Sequence, residues 1–469
     1  MFSNIDDFLD YIEKDNIAMV DFKFIDLPGR WHHITVPASS CDRRLIITGI
    51  PFDSSSIPGF RGVSGGDMSL IPDIATGFID PFTESPTLSF ICNICEADTK
   101  ENISGDPRGV AIRAERYLKS KYGADSHWLP EIEFYLFEYA DYATSRNFAY
   151  FEFISEETSP GESGFYNRQN SGYHAIPPMD SGMDVRSAMV LTLENAGIKV
   201  RYHHHETGPC GQNEIEIMPA PLVKAADAVI LAKYIIRLVA GQYGFVATFM
   251  PKPLFDEPGS GMHFHQFLLK NGTSLFWDSE AKYSHLSNEA HSYIAGLLEH
   301  APSLVGITNP TTNSFKRLVS GFEAPTKRFY GLANRCAAIR VPKYDDTPEL
   351  KRIEFRPPDG SCNPYIAIAA QLLAGLDGID RKLDPTAMNF GPYDENIGEW
   401  SVSKRRRLKD IPSSLDCALD ALEKDNDYLT KDGVFDIGMI NRHIEFARSS
   451  SGDVARYPTA REMELYFDL

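Results

Sequence analysis

Cysteine is scarce and poorly placed for its structural uses. Seven cysteines are spread through 469 residues without a repeating spacing, so no disulfide framework is on offer. Cys92 and Cys95 form a lone CxxC inside LSFICNICEAD, and a zinc site would need a second pair, which the sequence lacks. The expectation is a buried strand carrying free thiols in a reducing compartment. Long apolar runs are missing as well. The most apolar long segment, AVILAKYIIRLVAGQYGFVATFM at 228–250, is interrupted by Lys233, Arg237 and Gln242. It reads as a buried helix running into a strand, not as a membrane span. The opening MFSNIDDFLD is acidic and lacks the basic-then-apolar order of a signal peptide, which points to the cytoplasm. Positive charge is in deficit, with 46 basic against 65 acidic residues and a net charge of −19. Such a surface repels polyphosphate backbones and excludes nonspecific nucleic-acid binding. The one basic run, Lys404 to Arg407, reads as a solvated loop or helix end. There is no internal repeat, no GxxxxGK[ST] loop and no complete GxGxxG. A nucleotide would have to be held without either glycine-rich cradle.

What is present suggests two domains. A chain of this length exceeds one ordinary core, and 43% apolar with 24% charged residues fits a globular protein. Short strand-like runs occupy the first part: MVDFKFIDL at 19–27, WHHITVP at 31–37 and LSFICNI at 88–94. Between them, PFDSSSIPGFRGVSGGDMS at 51–69 reads as a Gly/Ser/Pro-rich loop. Asp106 is a good N-cap and Pro107 a good first helical residue. Val110, Ala114, Tyr117 and Leu118 then make one apolar stripe at helical spacing. The boundary is set after residue 103, giving domains 1–103 and 104–469. Beyond it, EIEFYLFEY, GIKVRYHHHE, NEIEIMP, FVATFMPKP and GMHFHQFLL read as strands, with helices at 184–196 and about 221–241. Hairpins mixed with helices predict an α+β fold with an antiparallel sheet.

Three strands carry acid or histidine at alternate positions: Glu131 and Glu133, Glu214 and Glu216, His263 and His265. Residues i and i+2 of a strand face the same side. If these strands neighbour one another, and Glu206 joins them, the shared face is a carboxylate-lined floor. Such a floor repels itself unless cations occupy it, and oxygen ligands with one histidine suit Mg²⁺ or Mn²⁺ better than zinc. The glutamates are then the ligand candidates, while His203, His204 and His205 position and support Glu206. Arginines stand isolated in NSFKR, NRCAAIR and IEFR, and their forks suit carboxylate and phosphate. A metal floor facing an arginine wall is the arrangement expected for phosphoryl transfer.

The phrases FDSSSI, PEIEF, HHHETGPCGQNE, GSGMHFH, NPTTNSFKRL, EAP, NRCAAIR and RIEFRPPD occur in the order of the glutamine synthetase family, type I, and from about residue 15 onward the chain resembles it. The resemblance implies an N-terminal β-grasp domain, a larger catalytic α+β domain and a dodecamer of two hexameric rings with active sites between neighbouring subunits. It implies ATP-dependent ligation of ammonia to the γ-carboxylate of L-glutamate, with Mg²⁺ or Mn²⁺. On this likeness Glu133, Glu206 and Glu214 correspond to ligands of a first metal, and Glu131, His263 and Glu354 to ligands of a second among the ATP phosphates. Arg317 resembles the clamp on the substrate α-carboxylate, with Gly259 beside it in the GSGMH phrase. Arg335 and Arg356 resemble the arginines at the transferring phosphoryl group, and His265, Arg340 and Arg352 match nucleotide-contacting positions. Asp53, with Ser56 beside it, resembles the ammonium-binding acid supplied by an adjacent subunit, and Glu323 the flap residue that closes the site.

The sequence departs from the bacterial pattern at three places. Pro258 stands where an asparagine precedes GSGMH, Phe267 where a serine follows the metal histidine, and Gly398 where some members carry an adenylylated tyrosine. Tyr393 lies five residues too early, so no adenylylation is expected at this segment. Pro258 and Phe267 favour a ligase that takes an amine or polyamine instead of ammonia, whereas the intact FDSSS favours ammonia. A non-catalytic structural relative would have lost metal or arginine positions, and none is lost.

Overall fold

The structure, a computed structural model, describes residues 2–60, 65–158, 164–344 and 347–467. Helix α1 (Ile5–Lys14) starts at Asn4, whose side chain accepts from the Asp7 N–H, and it buries Phe8 and Ile12. Then come β1 (Met19–Ile25), β2 (Trp31–Pro37), α2 (Arg43–Thr48), β3 (Ile50–Asp53), β4 (Asp67–Ile79) and β5 (Thr87–Glu96). They form a sheet in the order β2-β1-β5-β4-β3, with β1 parallel to β5 and the remaining pairs antiparallel. Phe8, Phe22, Leu70 and Phe90 share its core, and Cys92 and Cys95 are buried free thiols on β5. The stretch at 51–69 is not all loop. Its start pairs as β3 with its end in β4, Ile50 opposite Leu70 and Phe52 opposite Met68, because alternate apolar residues at both ends face this core. Residues 61–64 lie outside the described residues.

Helix α3 (Pro107–Tyr122) begins where the capping residues place it: Asp106 accepts from the Arg108 N–H and Pro107 occupies the first turn. Val110, Ala114, Tyr117 and Leu118 are buried. The chain continues through β6 (Asp125–Phe137), β7 (Tyr139–Thr144), β8 (Ala149–Ile154), α4 (Met183–Asn195), β9 (Val200–His205) and β10 (Gln212–Ile217). Next are β11 (Ala220–Pro221), α5 (Leu222–Gln242), β12 (Val246–Thr248), β13 (Met262–Lys270), β14 (Thr273–Ser274), α6 (Asn288–Thr308) and α7 (Ser314–Arg317). The last strands are β15 (Tyr330–Leu332), β16 (Ile339–Val341) and β17 (Ile353–Phe355), followed by α8 (Pro364–Asp380). The expected strand at FVATFMPKP is shorter than the phrase, since only Val246–Thr248 pair with β6.

The large sheet runs β15-β16-β17-β13-β6-β10-β9, antiparallel throughout except for β15 with β16. Ile132, Phe134, Ile215, Phe264 and Ile353 point into one core with residues of α5, α6 and α8. Gly296 and Gly378 let α6 and α8 cross closely; a Cβ on Gly378 would lie 2.0 Å from the Ser292 carbonyl oxygen. Arg108 on α3 ties the N-terminal sheet to α5. It donates to Asp73 on β4 and Asn93 on β5, both at 2.8 Å, and to Asp227 on α5 at 2.9 and 3.0 Å.

Candidate active site

The face of the large sheet opposite its helices carries the acids. Register sets Glu133 opposite Glu214, Glu131 opposite both Glu216 and His263, and Glu354 opposite both His265 and Arg340. The i, i+2 phrases therefore do share one face, as alternation requires. Above it a cavity of about 350 Å³ is lined by Glu131, Glu133, Glu206, Glu214, His263 and Glu354, with Arg317, Arg335, Arg340 and Arg356. Gly259, Pro258 and Glu323 close its rim.

Two acid clusters form the cavity wall. Ligand atoms of Glu133, Glu206 and Glu214 lie within 4.8 Å of one another, and so do those of Glu131, His263 and Glu354. Three carboxylates in one group, and two carboxylates with an imidazole in the other, fit hard divalent cations. In the first group Gly261 N–H donates to Glu133 at 2.6 Å, and the Thr207 hydroxyl donates to Glu206 at 2.8 Å. Burial and the Glu133 charge push Glu206 up to about 7. Burial and Glu131 hold the carboxyl of Glu214 well above the usual range. In the second group, Arg340 and Arg356 each donate to one oxygen of Glu354. Burial alone would raise Glu354, yet Arg356 and Arg340 hold it down at about 2. His263 Nδ1 lies 3.1 Å from Glu131, and Arg317 approaches His263 Nε2 at 3.0 Å while donating to the Pro357 carbonyl at 2.7 Å.

Other expected residues take different positions. His265 lies on the same face but is fully buried, 2.7 Å from Glu131, and Arg352 donates to its other nitrogen at 3.3 Å. Neither lines the cavity. Asp53 and Ser56 sit where β3 ends, exposed in the N-terminal sheet and outside the cavity lining. Two bonds from Ser55 hold the Asp53 carboxyl below its usual value. Pro258 offers its carbonyl to the Tyr135 hydroxyl at 2.6 Å. Phe267 is buried against the His127 ring and does not line the cavity.

The histidine run divides by parity. His205 bridges Glu157, at 2.8 Å, and the Glu206 carbonyl, at 2.6 Å, so it supports Glu206 as expected. His204 instead faces the cavity, 3.3 Å from Glu214, because it lies two residues from Glu206 on an alternating strand. Glu216 also belongs to the floor, within 4.8 Å of Glu131 and His265, and it pairs with Arg201 at 2.6 Å. Tyr173, whose ring lies 5.8 Å from the Arg335 guanidinium, carried no sequence signal.

Acids, histidine and arginines on one sheet face, closed by loops over a small cavity, have the chemistry that suits an anionic substrate held with divalent cations. The chain belongs to the glutamine synthetase family: its catalytic domain description matches residues 104–466 and its beta-grasp domain description residues 16–97. Glutamine synthetase of Frankia alni is 43% identical over 479 aligned residues, covering all of both chains. A cryo-EM structure of Plasmodium falciparum glutamine synthetase superposes with a TM-score of 0.89 at 27% identity, covering 99% of each chain. A GmaS–ADP complex superposes with a TM-score of 0.82 at 25% identity, covering 98% of this chain and 99% of the other.

Proposed function

We propose that the chain is a glutamate–ammonia ligase, joining ammonia to the γ-carboxylate of L-glutamate with cleavage of ATP. The observation that carries this reading is the pair of acid clusters sharing one cavity with Arg317, Arg335, Arg340 and Arg356, in a chain of the glutamine synthetase family. Glu133, Glu206 and Glu214 would hold one Mg²⁺ or Mn²⁺, and Glu131, His263 and Glu354 a second. Bound there, such cations offset the negative charge of phosphoryl oxygens.

A carboxylate is a poor acyl donor, so a γ-carboxylate oxygen first attacks the γ-phosphorus of ATP and ADP leaves, giving γ-glutamyl phosphate. Arg335 and Arg356 stabilise the charge that gathers on the transferring group. Arg317 orients the α-carboxylate beside Gly259, Arg340 faces the nucleotide side, and Arg352 and buried His265 back that side through Glu131. Ammonium is not a nucleophile until it loses a proton. Asp53 of a neighbouring subunit, with Ser56, binds the cation and takes that proton. The ammonia nitrogen then attacks the acyl carbon and phosphate leaves. Glu323 closes the rim so that water does not intercept the acyl phosphate.

This reading takes residues 1–103 and 104–469 as the two domains, a cytoplasmic location and a dodecamer of two rings. The deciding experiment measures phosphate release by the purified protein with Mg²⁺, ATP and L-glutamate, adding ammonium or one of several amines. Release that requires ammonium, with glutamine as product, supports the reading. Release only with an amine would assign the acceptor pocket to another substrate, and no release from an intact oligomer would overturn the ligase reading.

A further inference from the structure

One lysine ties together the two loops that frame the cavity mouth. Lys252 lies in MPKP, between β12 and β13, and its backbone is clamped twice by one side chain. The Lys252 N–H donates to Asn313 Oδ1 at 2.7 Å, and Asn313 Nδ2 donates to the Lys252 carbonyl at 2.9 Å. Asn313 directly precedes α7, whose last residue is Arg317. The stem of Lys252 is thus anchored to the element that delivers a cavity arginine.

From that anchor its ammonium reaches both rims. Nζ donates to the carbonyl of Glu257, one residue before Pro258 and Gly259 of the cavity lining. It also sits over the Phe322 ring, 4.0 Å from the centroid. Phe322 belongs to the opposite rim, Gly321 to Ala324. That rim has left-handed backbone at Gly321 (φ 113°) and Glu323 (φ 56°), a conformation non-glycine residues keep only when their surroundings hold it. Arg356 reaches the Glu323 carbonyl at 3.5 Å, and the cation over Phe322 is the second hold. Such a contact strengthens when the cation is partly desolvated, and Lys252 is half-buried.

We propose that Lys252 is a positioning residue that latches the Phe322–Glu323 rim against the Glu257–Gly259 loop, keeping water from the acyl phosphate. The proposal rests on the ligase reading above. A loosened rim lets water attack γ-glutamyl phosphate, so its bond to phosphate breaks and glutamate and phosphate return. The signature is phosphate released without a matching glutamine, not simply slower turnover.

The test uses full-length protein with ATP, Mg²⁺ and L-glutamate, with and without ammonium, and follows phosphate and glutamine together. Lys252→Met and Phe322→Leu are each expected to raise phosphate per glutamine by about fivefold, the scale of a lost cation–aromatic contact. The double variant should add no more, and Lys252→Arg should restore the ratio, since a guanidinium also stacks on a ring. An unchanged ratio in Lys252→Met, or effects of the two single variants that multiply, would overturn the latch. If Lys252→Met does not fold, Phe322→Leu decides by the same ratio. A wild-type chain that makes no glutamine overturns the ligase reading instead, which keeps the two failures apart.

Discussion

The two acid clusters of the cavity grow from the same strand, yet they meet opposite electrostatic surroundings. Glu133 accepts from a backbone N–H and Glu206 from a hydroxyl, and Glu214 lies beside His204. Glu354 of the other cluster is gripped by Arg340 and Arg356. Buried carboxylates without a cation are driven toward protonation, whereas a doubly paired one is driven toward ionisation. The pKa of Glu206 accordingly rises to about 7 and that of Glu354 falls to about 2. The second cluster is already half neutralised by buried arginines, and the first is not.

The largest expected effect breaks the second cluster. Glu354→Gln removes the shared partner of two buried arginines, a change that costs about 3–5 kcal/mol for a buried pair. Denaturant unfolding should register it, and glutamine formation should fall by about a thousandfold. Glu214→Gln sharpens the contrast. It should leave metal-free stability unchanged or raise it by up to about 1 kcal/mol, since it relieves repulsion. Titration calorimetry with Mg²⁺ or Mn²⁺ should nevertheless show affinity reduced by at least about tenfold, the loss expected even for outer partners of a metal.

The pH dependence of the two clusters has opposite sign. The raised pKa of Glu206 means its ionised form is disfavoured in the fold. Stability is lost as pH climbs from the ordinary glutamate value of about 4.3 through about 7. The depressed pKa of Glu354 contributes stability above the ordinary range, lost only as pH falls through about 2. Thermal scans of metal-free protein should therefore show Tm falling by on the order of 3 °C from about pH 5 to about pH 7.5. Added Mg²⁺ should flatten that slope, and a slope of the opposite sign would sink the assignment. The smallest effect is expected at the arginine wall. Tyr173→Leu removes a ring beside Arg335 and should raise the KM for ATP by about two- to fivefold.

Much of the site was legible because strand alternation is so regular. Glu131 with Glu133 and Glu214 with Glu216 could be placed on common faces from spacing alone. The same rule, applied to the histidine run, sends His204 to the side of Glu206 and His203 and His205 to the other. Reading all three as supports overlooked that parity. Register is another matter. Nothing in the sequence says that Glu131 falls opposite both Glu216 and His263, since pairing depends on which strands meet. The three-residue strands Tyr330–Leu332, Ile339–Val341 and Ile353–Phe355 are too short for a period to show. The resemblance, not the pattern, brought Glu354 into view and gave Arg340 and Arg356 their separate roles. Helix starts fared better where the capping chemistry was local, as at Asp106 and Pro107.

Strand β6 is thirteen residues long and buried along most of its length, and it carries Glu131 and Glu133 two positions apart. In extended backbone that step is about 6.7 Å, and it cannot stretch without breaking hydrogen bonds to both neighbouring strands. The strand therefore works as a gauge: the interval between the members it lends to the two acid clusters is written into the peptide repeat, not into any loop. A change of conformation at the rim leaves that interval unchanged. An insertion between residues 131 and 133 should accordingly not be tolerated.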